Sequence, residues 1–383
     1  MKNSDALERA MTRFRIQPIA PMHGGSSATT WLGRSEDGAP VVVKCLADGE
    51  GLVDGHDLET FRRKEAQIEH LRQVAPRIAE CYPRTLAKTH QPDWSAYAFE
   101  YIDTPPLAEV IRENHADRGA ELLVGVWHRL VTCGYTISRH RTDPERLWRD
   151  FYLDRIARRA VILRASLPAC LLTAESVVVN GTVIRGLNRT CADAWDLRTH
   201  LGEAVLTVPV HGDLNLRNML FGPAREATNG VTLVDPRGTL AYWDPYYDLA
   251  KMLFSASIFD ATMASGFNVD QYGREFQISL RKARDEPLLR SVLTAIPRMA
   301  SEIASAADRG TESTFPWHVA LAHACHVTAE AACRLSVTQD SLGTRKNRAI
   351  GLLLFGMILL NDLLEKHADR RPLDLSEHLS LIH

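Results

Sequence analysis

The chain has 383 residues, of which 45% are hydrophobic and 24% are charged, and its formal net charge at pH 7 is -2. This length allows one large domain or two modest domains with a substantial core. The nearly balanced charge argues against a protein dedicated to binding nucleic acid or a membrane surface.

Cysteine usage and hydropathy indicate the compartment. The seven cysteines are scattered and form no C-x-x-C pair, so a disulfide framework is not expected. The first residues lack the apolar core of a signal peptide. The longest apolar run, residues 349–360, is too short to span a bilayer and predicts a buried helix. We therefore expect a cytoplasmic protein that does not insert into a membrane.

The N-terminal part predicts strands joined by small turns. Residues 15–22 form the first predicted strand, and residues 29–46 form two more around Glu36-Asp37-Gly38. The connecting loop contains Gly25, Ser26 and Ser27. Small residues let backbone N–H groups approach phosphate oxygens, although an ordinary hairpin turn would have the same composition.

Lys44 ends the apolar strand Val-Val-Val-Lys, where a buried ammonium is costly unless it is paired. Residues 57–74 have helical periodicity, and Pro76 follows them. Glu65 lies close to the apolar stripe of this helix and is the predicted partner of Lys44. Glu59 and Glu69 are the alternatives.

The middle of the chain mixes strands and helices. Residues 84–101 predict two strands around a turn, and residues 107–164 predict helices. Residues 175–186 predict a β-hairpin with Asn-Gly at its turn, and residues 192–201 a helix. The hairpin either packs beneath the polar loop that follows it or lines a pocket beside that loop.

The most informative stretch is 208–238. Two short apolar runs flank the loop His-Gly-Asp-Leu-Asn-Leu-Arg-Asn, and a third run ends at Asp235. Phosphoryl transfer uses this set: Asp213 accepts or orients the proton of an acceptor hydroxyl, and Asn218 and Asp235 hold Mg²⁺. The order matches the kinase pattern H-x-D-x-x-x-x-N followed by D-x-x-G. A polar turn between core strands would explain a single H-x-D, but not the full pattern.

The remaining chain, after Asp248, predicts mostly helices, over residues 247–255, 284–307, 316–338 and 344–367. Histidines 318, 323 and 326 and Cys325 crowd one of them. A metal site is the less favoured interpretation, and core or pocket histidines are the favoured one. Glu330 and Asp260 are either contacts for a cationic acceptor or, by default, surface acids.

His211-Gly212-Asp213, the Asp-Pro-Arg-Gly segment at 235–238 and Tyr-Asp-Leu-Ala-Lys at 247–251 together resemble the aminoglycoside phosphotransferase and choline kinase superfamily. The resemblance covers about residues 20–260. Pro236 and Arg237 depart from many members of that superfamily.

The resemblance implies a two-lobed, protein-kinase-like α+β fold. Residues 1–103 would form a small antiparallel-sheet lobe, and residues 104–383 a larger, mainly helical lobe with the catalytic loop and the acceptor-binding helices. His211 would shape the catalytic loop, and Asp248 would support it.

The nucleotide site is also implied by the resemblance. Lys44, paired with Glu65, and the loop with Gly25, Ser26 and Ser27 would contact the phosphates. The backbone of the hinge would pair with the adenine edge; its residues are Glu100, Tyr101 and Ile102. ATP is the expected donor, with GTP as the alternative, and Mg²⁺ is the expected cofactor.

The predicted activity is therefore transfer of the γ-phosphoryl group to a hydroxyl of a small molecule. The acceptor would be an aminoglycoside or other antibiotic, a sugar or an amino alcohol. A protein kinase is disfavoured because no Ala-Pro-Glu segment follows residue 238. A nucleotide-binding protein without catalytic activity is the alternative from another class.

Overall fold

The computed structural model of the protein describes residues 2–22, 27–50, 56–135, 138–201, 204–208, 210–222, 230–306, 314–336 and 340–382. An antiparallel sheet occupies most of the first hundred residues, and the remainder is mainly helical. The predicted α+β division into a small sheet lobe and a larger helical lobe is confirmed. We call these parts the N-terminal and C-terminal lobes.

Five strands form the sheet of the N-terminal lobe, in the order β1-β2-β3-β5-β4. Their bounds are Gln17–Met22 (β1), Thr29–Arg34 (β2), Pro40–Ala47 (β3), Thr85–Gln91 (β4) and Trp94–Glu100 (β5). Consecutive strands pair across both predicted hairpin turns, β2 with β3 and β4 with β5.

Helices cover both faces of this sheet. Helix α1 (Asn3–Phe14), which the sequence analysis did not predict, packs on the face formed by Val43 and Cys45. Successive side chains of a strand point to opposite faces. Lys44 therefore shares the other face with Leu46, which packs against α2 (Leu58–Val74). This alternation directs Lys44 toward the C-terminal lobe.

A short helix, α3 (Pro76–Ala79), follows α2, and the described residues of the C-terminal lobe form twelve more α-helices. Those before the catalytic loop are α4 (Leu107–Arg112), α5 (Ala116–Leu130), α6 (Pro144–Leu147), α7 (Asp154–Arg164), α8 (Ala169–Thr173) and α9 (Leu187–Asp193). Those after it are α10 (Pro245–Phe254), α11 (Asp260–Ser265), α12 (Glu286–Ala306), α13 (Phe315–Leu335), α14 (Leu342–Ala368) and α15 (Leu375–Ser380).

Two long helices, α13 and α14, pack against each other at the centre of the C-terminal lobe. Helix α13 is buried along nearly its whole length, and the predicted buried helix at 349–360 is the middle of α14. No helix in the described ranges has both the length and the apolar content needed to cross a bilayer. All seven cysteines are free thiols.

Two short strand pairs position the predicted catalytic loop. Strand β6 (Ser138–Thr142) pairs with β9 (Ala204–Val208), and β10 (Met219–Phe221) pairs with β11 (Val231–Leu233). The loop joins β9 to β10, as predicted. The prediction that residues 107–164 are helical was wrong at β6, because β6 forms only by pairing with a strand more than sixty residues further along the chain.

A four-stranded sheet, in the order β12-β13-β7-β8, lies beside α14. The predicted hairpin forms β7 (Ser176–Val179) and β8 (Thr182–Arg185), and its role beside the acceptor remains a prediction. The hairpin of β12 (Phe267–Tyr272) and β13 (Glu275–Leu280) lies between two predicted helices, in a segment for which no strand was predicted. Its two strands pair with each other over six residue pairs, and β13 also pairs with β7.

Among the described residues, five histidines are buried, and burial lowers the pKa of four of these below its ordinary value. The four are His211, His323, His326 and His378. A folded-state pKa below the unfolded value means that the unfolded chain binds more protons. The stabilisation is therefore present above about pH 6.5, the unfolded pKa, and is lost as the pH falls through the folded pKa, which is about 4 for His211 and about 3 for His323.

We accordingly expect the free energy of unfolding to fall as the pH decreases from about 7 to about 5, by at most about 1.4 kcal/mol per pH unit for each histidine. Urea unfolding at several pH values measures this slope. The slope should be smaller in His323→Gln and unchanged in His128→Gln, whose side chain is 64% exposed. A free energy of unfolding independent of pH over this interval would contradict the expectation.

Candidate active site

A buried carboxylate holds the backbone of the predicted catalytic loop. Asp248 lies in the first turn of α10 and is fully buried. Its Oδ1 accepts from the N–H of Gly212 at 2.9 Å, and its Oδ2 accepts from the N–H of His211 at 3.1 Å and from the hydroxyl of Tyr135. Burial raises the pKa of Asp248 to about 7, although these hydrogen bonds oppose the shift. Helix α10 thereby sets the position of the loop.

His211 connects the loop to the segment that follows β11. Its Nδ1 accepts from the N–H of Asp213 at 3.2 Å, and its Nε2 lies 3.0 Å from the carbonyl oxygen of Val234. Burial lowers the pKa of His211 to about 4, so the ring is neutral. Because Nδ1 accepts, the proton must lie on Nε2, which donates to Val234. The ring fixes the backbone of both segments.

Asp213 is partly exposed, with 28% of its side chain accessible. Its Oδ1 lies 2.7 Å from Nζ of Lys251 and accepts from the amide of Asn215 at 3.1 Å. The amide of Asn218 donates to the carbonyl oxygen of Asp213 at 2.8 Å and approaches its Oδ2 at 3.3 Å. Burial alone would raise the pKa of Asp213, but Lys251 outweighs it and keeps the pKa below its usual value. Asp213 is therefore an ionised hydrogen-bond acceptor.

Asp235 adopts a left-handed backbone conformation with φ of 56°. Its Oδ1 lies 2.6 Å from Nζ of Lys44 on β3 and 2.6 Å from Nζ of Lys64 on α2. Burial would raise the pKa of Asp235, but the two ammonium groups outweigh it and hold that pKa far below its ordinary value. The carboxylate joins the two lobes and lies close enough to Asp213 to affect its pKa.

The pairing of β10 with β11 brings the two predicted metal ligands together. The N–H of Val234 donates to the carbonyl oxygen of Asn218 at 2.9 Å, so Asp235 lies one residue beyond the position opposite Asn218. The Asn218 amide nitrogen is held by Asp213, and both lysines contact only Oδ1 of Asp235. A side-chain oxygen of each residue remains for a cation. Hard oxygen donors of this kind suit Mg²⁺.

The predicted ion pair between Lys44 and Glu65 is wrong for this structure. Lys44 contacts Asp235, and both carboxylate oxygens of Glu65 lie 3.0 Å from Nζ of Lys88 on β4. In the register of the sheet, Tyr97 on β5 separates Lys44 from Lys88. Glu65 therefore lies over strand β4 and not over strand β3. The periodicity of apolar residues in α2 could not show which strand this residue would meet. A role for Glu65 in nucleotide binding remains a prediction.

The other predicted nucleotide-binding residues lie at the margins of the sheet. Gly25 and Ser26 fall outside the described residues. Ser27 precedes β2, and its carbonyl oxygen accepts from the side-chain amide of Asn3 at 2.8 Å. Of the predicted hinge residues, Glu100 is the last residue of β5, and Tyr101 and Ile102 follow it where the chain leaves the N-terminal lobe. The carboxylate of Glu100 accepts from the backbone N–H of Arg84 at 3.0 Å.

The histidines of α13 serve the core. His318 lies 2.8 Å from a carboxylate oxygen of Asp244, and His323 lies 3.0 Å from the hydroxyl of Ser257. Within the described residues, no group of three or more His, Cys, Asp and Glu side chains is arranged to hold a metal ion.

The default interpretation of Glu330 and Asp260 as surface acids was wrong, since both are buried. Glu330 pairs with Arg334, and Asp260 pairs with Arg112 at 2.8 Å and with Arg217 at 2.9 Å.

Three positioning residues escaped the sequence analysis, and Gln67 on α2 is the clearest. Its amide nitrogen donates to the carbonyl oxygen of Val210 at 2.6 Å. Its amide oxygen accepts from the backbone N–H of Gly238 at 2.7 Å and of Thr239 at 3.0 Å. A Cβ at position 238 would lie 2.7 Å from the backbone oxygen of Thr60, so only glycine allows this approach to α2. One fully buried amide therefore ties α2 to both segments of the site.

Lys64 and Lys251 are the other two residues. Both resemble ordinary charged helix residues in the sequence, and only the fold shows that they contact Asp235 and Asp213. The sole signal for Lys251 was its place at the end of Tyr-Asp-Leu-Ala-Lys.

Replacing Gln67 with methionine should lower the free energy of unfolding by about 1–3 kcal/mol, because three buried backbone groups lose their partner. We also expect a lower kcat, since both loop segments shift. Denaturant unfolding and initial rates measure the two effects. Gln73→Met, an exposed position on the same helix, is the matched control. Equal stability of the two variants would contradict the assigned role.

A sheet lobe that brings a lysine onto an aspartate of a helical lobe, beside an Asp-Asn loop, defines a protein of the kinase-like class. Residues 18–282 match the model of the phosphotransferase enzyme family. Because this match covers well over half of the chain, the protein belongs to that family.

Several solved structures are similar to this chain. An aminoglycoside-3'-phosphotransferase of type VIII is 17% identical, with 84% of this chain and 98% of that chain covered and a TM-score of 0.46. Choline kinase LicA from Streptococcus pneumoniae is 12% identical, with 92% and 98% covered and a TM-score of 0.49. Aminoglycoside phosphotransferase APH(3'')-Id from Streptomyces rimosus, in complex with ADP and streptomycin, is 15% identical, with 84% and 99% covered and a TM-score of 0.40. No curated protein sequence matches the chain significantly.

Proposed function

We propose that the protein transfers the γ-phosphoryl group of ATP to a hydroxyl group of a small molecule. The observation that carries this proposal is the contact of Lys44 with Asp235 beside the Asp213–Asn218 loop. Lys44 and Asp235 are 191 positions apart in sequence, and the lysine ammonium contacts one carboxylate oxygen of the aspartate. A structural ion pair would require only these two side chains. Phosphoryl transfer also requires those of Asp213 and Asn218.

Each residue has a defined role in the reaction. Asp213, kept ionised by Lys251, accepts the hydrogen bond of the acceptor hydroxyl and orients its oxygen toward the γ-phosphorus. As the new O–P bond forms, the bond between the γ-phosphorus and the β–γ bridging oxygen breaks. The hydroxyl proton passes to Asp213, and the products are ADP and the phosphorylated acceptor.

Asn218 and Asp235 would hold Mg²⁺, which neutralises phosphate charge when it is bound. Lys44 would contact the phosphates of the nucleotide, and the hinge at Glu100–Ile102 its base. Catalysis here is mostly positioning and charge neutralisation, which fits a site built from fixed hydrogen bonds.

The test is ATP consumption by the purified full chain with pooled hydroxylated compounds, in parallel with GTP. We expect ADP formation that depends on both an acceptor and Mg²⁺ and that stops when EDTA is added. Tight nucleotide binding without turnover in any pool would instead support a nucleotide-binding protein that is not an enzyme. Phosphate analysis of the product then identifies the hydroxyl that reacts.

A further inference from the structure

Two arginines meet at one phenol oxygen beside the catalytic loop. Arg155 on α7 and Arg237, two residues after Asp235, both donate through Nη1 to the hydroxyl of Tyr247. Arg155 is 4% exposed, and Arg237 is partly exposed with its guanidinium 5.0 Å above the ring of Trp243. We call these two residues the arginine pair.

Nearby acids are already occupied by other cations. Glu330 pairs with Arg334, and Asp213 pairs with Lys251. Throughout the described part of the chain, no carboxylate lies within 4.0 Å of either member of the arginine pair. Burying a charge is costly unless an opposite charge or hydrogen bonds compensate it. The arginine pair therefore forms a positive site that has hydrogen bonds to Tyr247 but no carboxylate counter-ion.

The hydrogen bonds of Arg155 reinforce this conclusion. Burial, together with the nearby Arg159 and Arg237, lowers the pKa of Arg155 to about 10. Its Nε is buried and has no hydrogen-bond partner in the described residues. His326 lies 2.9 Å from Nη1 of Arg155 and 2.8 Å from Nζ of Lys251. A neutral imidazole has one acceptor nitrogen, so it can compensate only one of these two cations.

The arginine pair is connected to the reacting end of the site. Lys251 bridges Asp213, at 2.7 Å, and the Nε2 of His326, at 2.8 Å. The Nδ1 of the same ring faces Arg155, and the backbone N–H of Arg237 donates to the carbonyl oxygen of His211 at 2.9 Å. The side chains of Lys251 and His326 therefore link Asp213 to Arg155, so the arginine pair lies near the proposed position of the acceptor.

We propose that the acceptor carries an anionic group, a carboxylate or a phosphate, and that the arginine pair binds it. This inference rests on the proposed function of the same site. Guanidinium groups match carboxylate and phosphate oxygens in geometry and charge. An ammonium group of an acceptor at the same place would be repelled by the two arginines. The site thus selects against cationic acceptors such as amino sugars.

Binding is measured by calorimetry on the full chain, with and without saturating ADP and Mg²⁺, so that the test does not depend on turnover. The probes are two matched sets: glucose, glucuronate, glucose 6-phosphate and glucosamine, then glycerol, glycerate, glycerol 3-phosphate and 3-amino-1,2-propanediol. Charge-assisted contacts to a guanidinium should make an anionic member of at least one set bind about tenfold or more tightly than its neutral counterpart. Equal or tighter binding of the neutral or cationic members, or no binding by any probe, overturns the proposal. Comparing the affinities of the carboxylate and phosphate members of a set shows which of the two anionic groups the arginine pair prefers.

Variants of the partly exposed Arg237 provide the second measurement, since loss of the buried Arg155 could prevent folding. Arg237→Gln should remove most of the preference for the anionic member, and Arg237→Lys should retain part of it. Arg189→Gln, at an exposed ion pair on α9, should keep the wild-type preference. An unchanged preference in Arg237→Gln overturns the proposal.

ATP-dependent transfer to the same probes separates the two proposals. Anion-selective binding without transfer would contradict the proposed function and leave the arginine pair as an anion site. Transfer that favours neutral or cationic acceptors would leave the function intact and overturn the anionic acceptor.

Discussion

Asp213→Asn is expected to lower kcat by a factor of about 10²–10⁴, the usual contribution of a general base. The amide keeps the size of the carboxylate but cannot accept the hydroxyl proton. It also leaves Lys251 without its carboxylate partner, at a side chain only 6% exposed. Nucleotide affinity should change little, because the groups assigned to the phosphates are Lys44 and the metal ligands. Initial rates and nucleotide titration of the same preparation measure the two quantities.

The matched control for this variant is Asp193→Asn. That carboxylate lies on the C-terminal lobe, where it pairs with Arg185 and Arg189 at 3.0 Å. The Asp193→Asn variant removes the same charge from the same lobe without changing a residue of the candidate active site, so wild-type turnover is expected. Turnover by Asp213→Asn within a few fold of this control would remove Asp213 from the chemistry.

Asp235→Asn is expected to abolish measurable turnover and to destabilise the fold by about 3 kcal/mol. The variant loses a proposed metal ligand and also leaves two ammonium groups close together without a counter-ion. Lys44 and Lys64 have side chains only 11% and 13% exposed, so water screens their repulsion poorly. Denaturant unfolding and initial rates report the two losses separately.

A double variant separates the structural role of Asp235 from its catalytic role. In Asp235→Asn combined with Lys64→Met, one of the two opposed cations is gone. The free energy of unfolding should therefore recover toward that of Lys64→Met alone. Turnover should stay absent, because the proposed metal ligand is still missing. Recovery of activity together with stability would show that Asp235 serves only as the counter-ion of the lysines.

The features that could be predicted from sequence depend on short segments. The loop from His211 to Asn218, its flanking strands and Asp235 lie within one local pattern, and the structure brings them together as that pattern indicates. The supporting role of Asp248 was implied by the family resemblance of residues 247–251, and its carboxylate contacts the backbone of Gly212. The prediction of these three carboxylates, Asp213, Asp235 and Asp248, therefore required no knowledge of how the two lobes pack.

Partners contributed by distant elements could not be predicted. Periodicity placed Glu65 near the apolar face of α2 but could not show that this face meets β4 rather than β3 at that point. Gln67 carries no chemical signal of its own, and its importance comes from two loop segments that approach α2 from the C-terminal lobe. Strand β6 was missed for the same reason, since its pairing partner β9 lies far away in sequence.

The sequence by itself determined the family and the order of the strands around the predicted catalytic loop, and it predicted the acids that would act on a phosphoryl group. Local spacing was sufficient, because each of these features depends on residues that neighbour one another along the chain. Only the tertiary structure decided which cations accompany those acids, Lys44 and Lys64 at Asp235 and Lys251 at Asp213. Electrostatic partners are selected by proximity in space, and a side chain's charge alone does not specify which distant element will meet it.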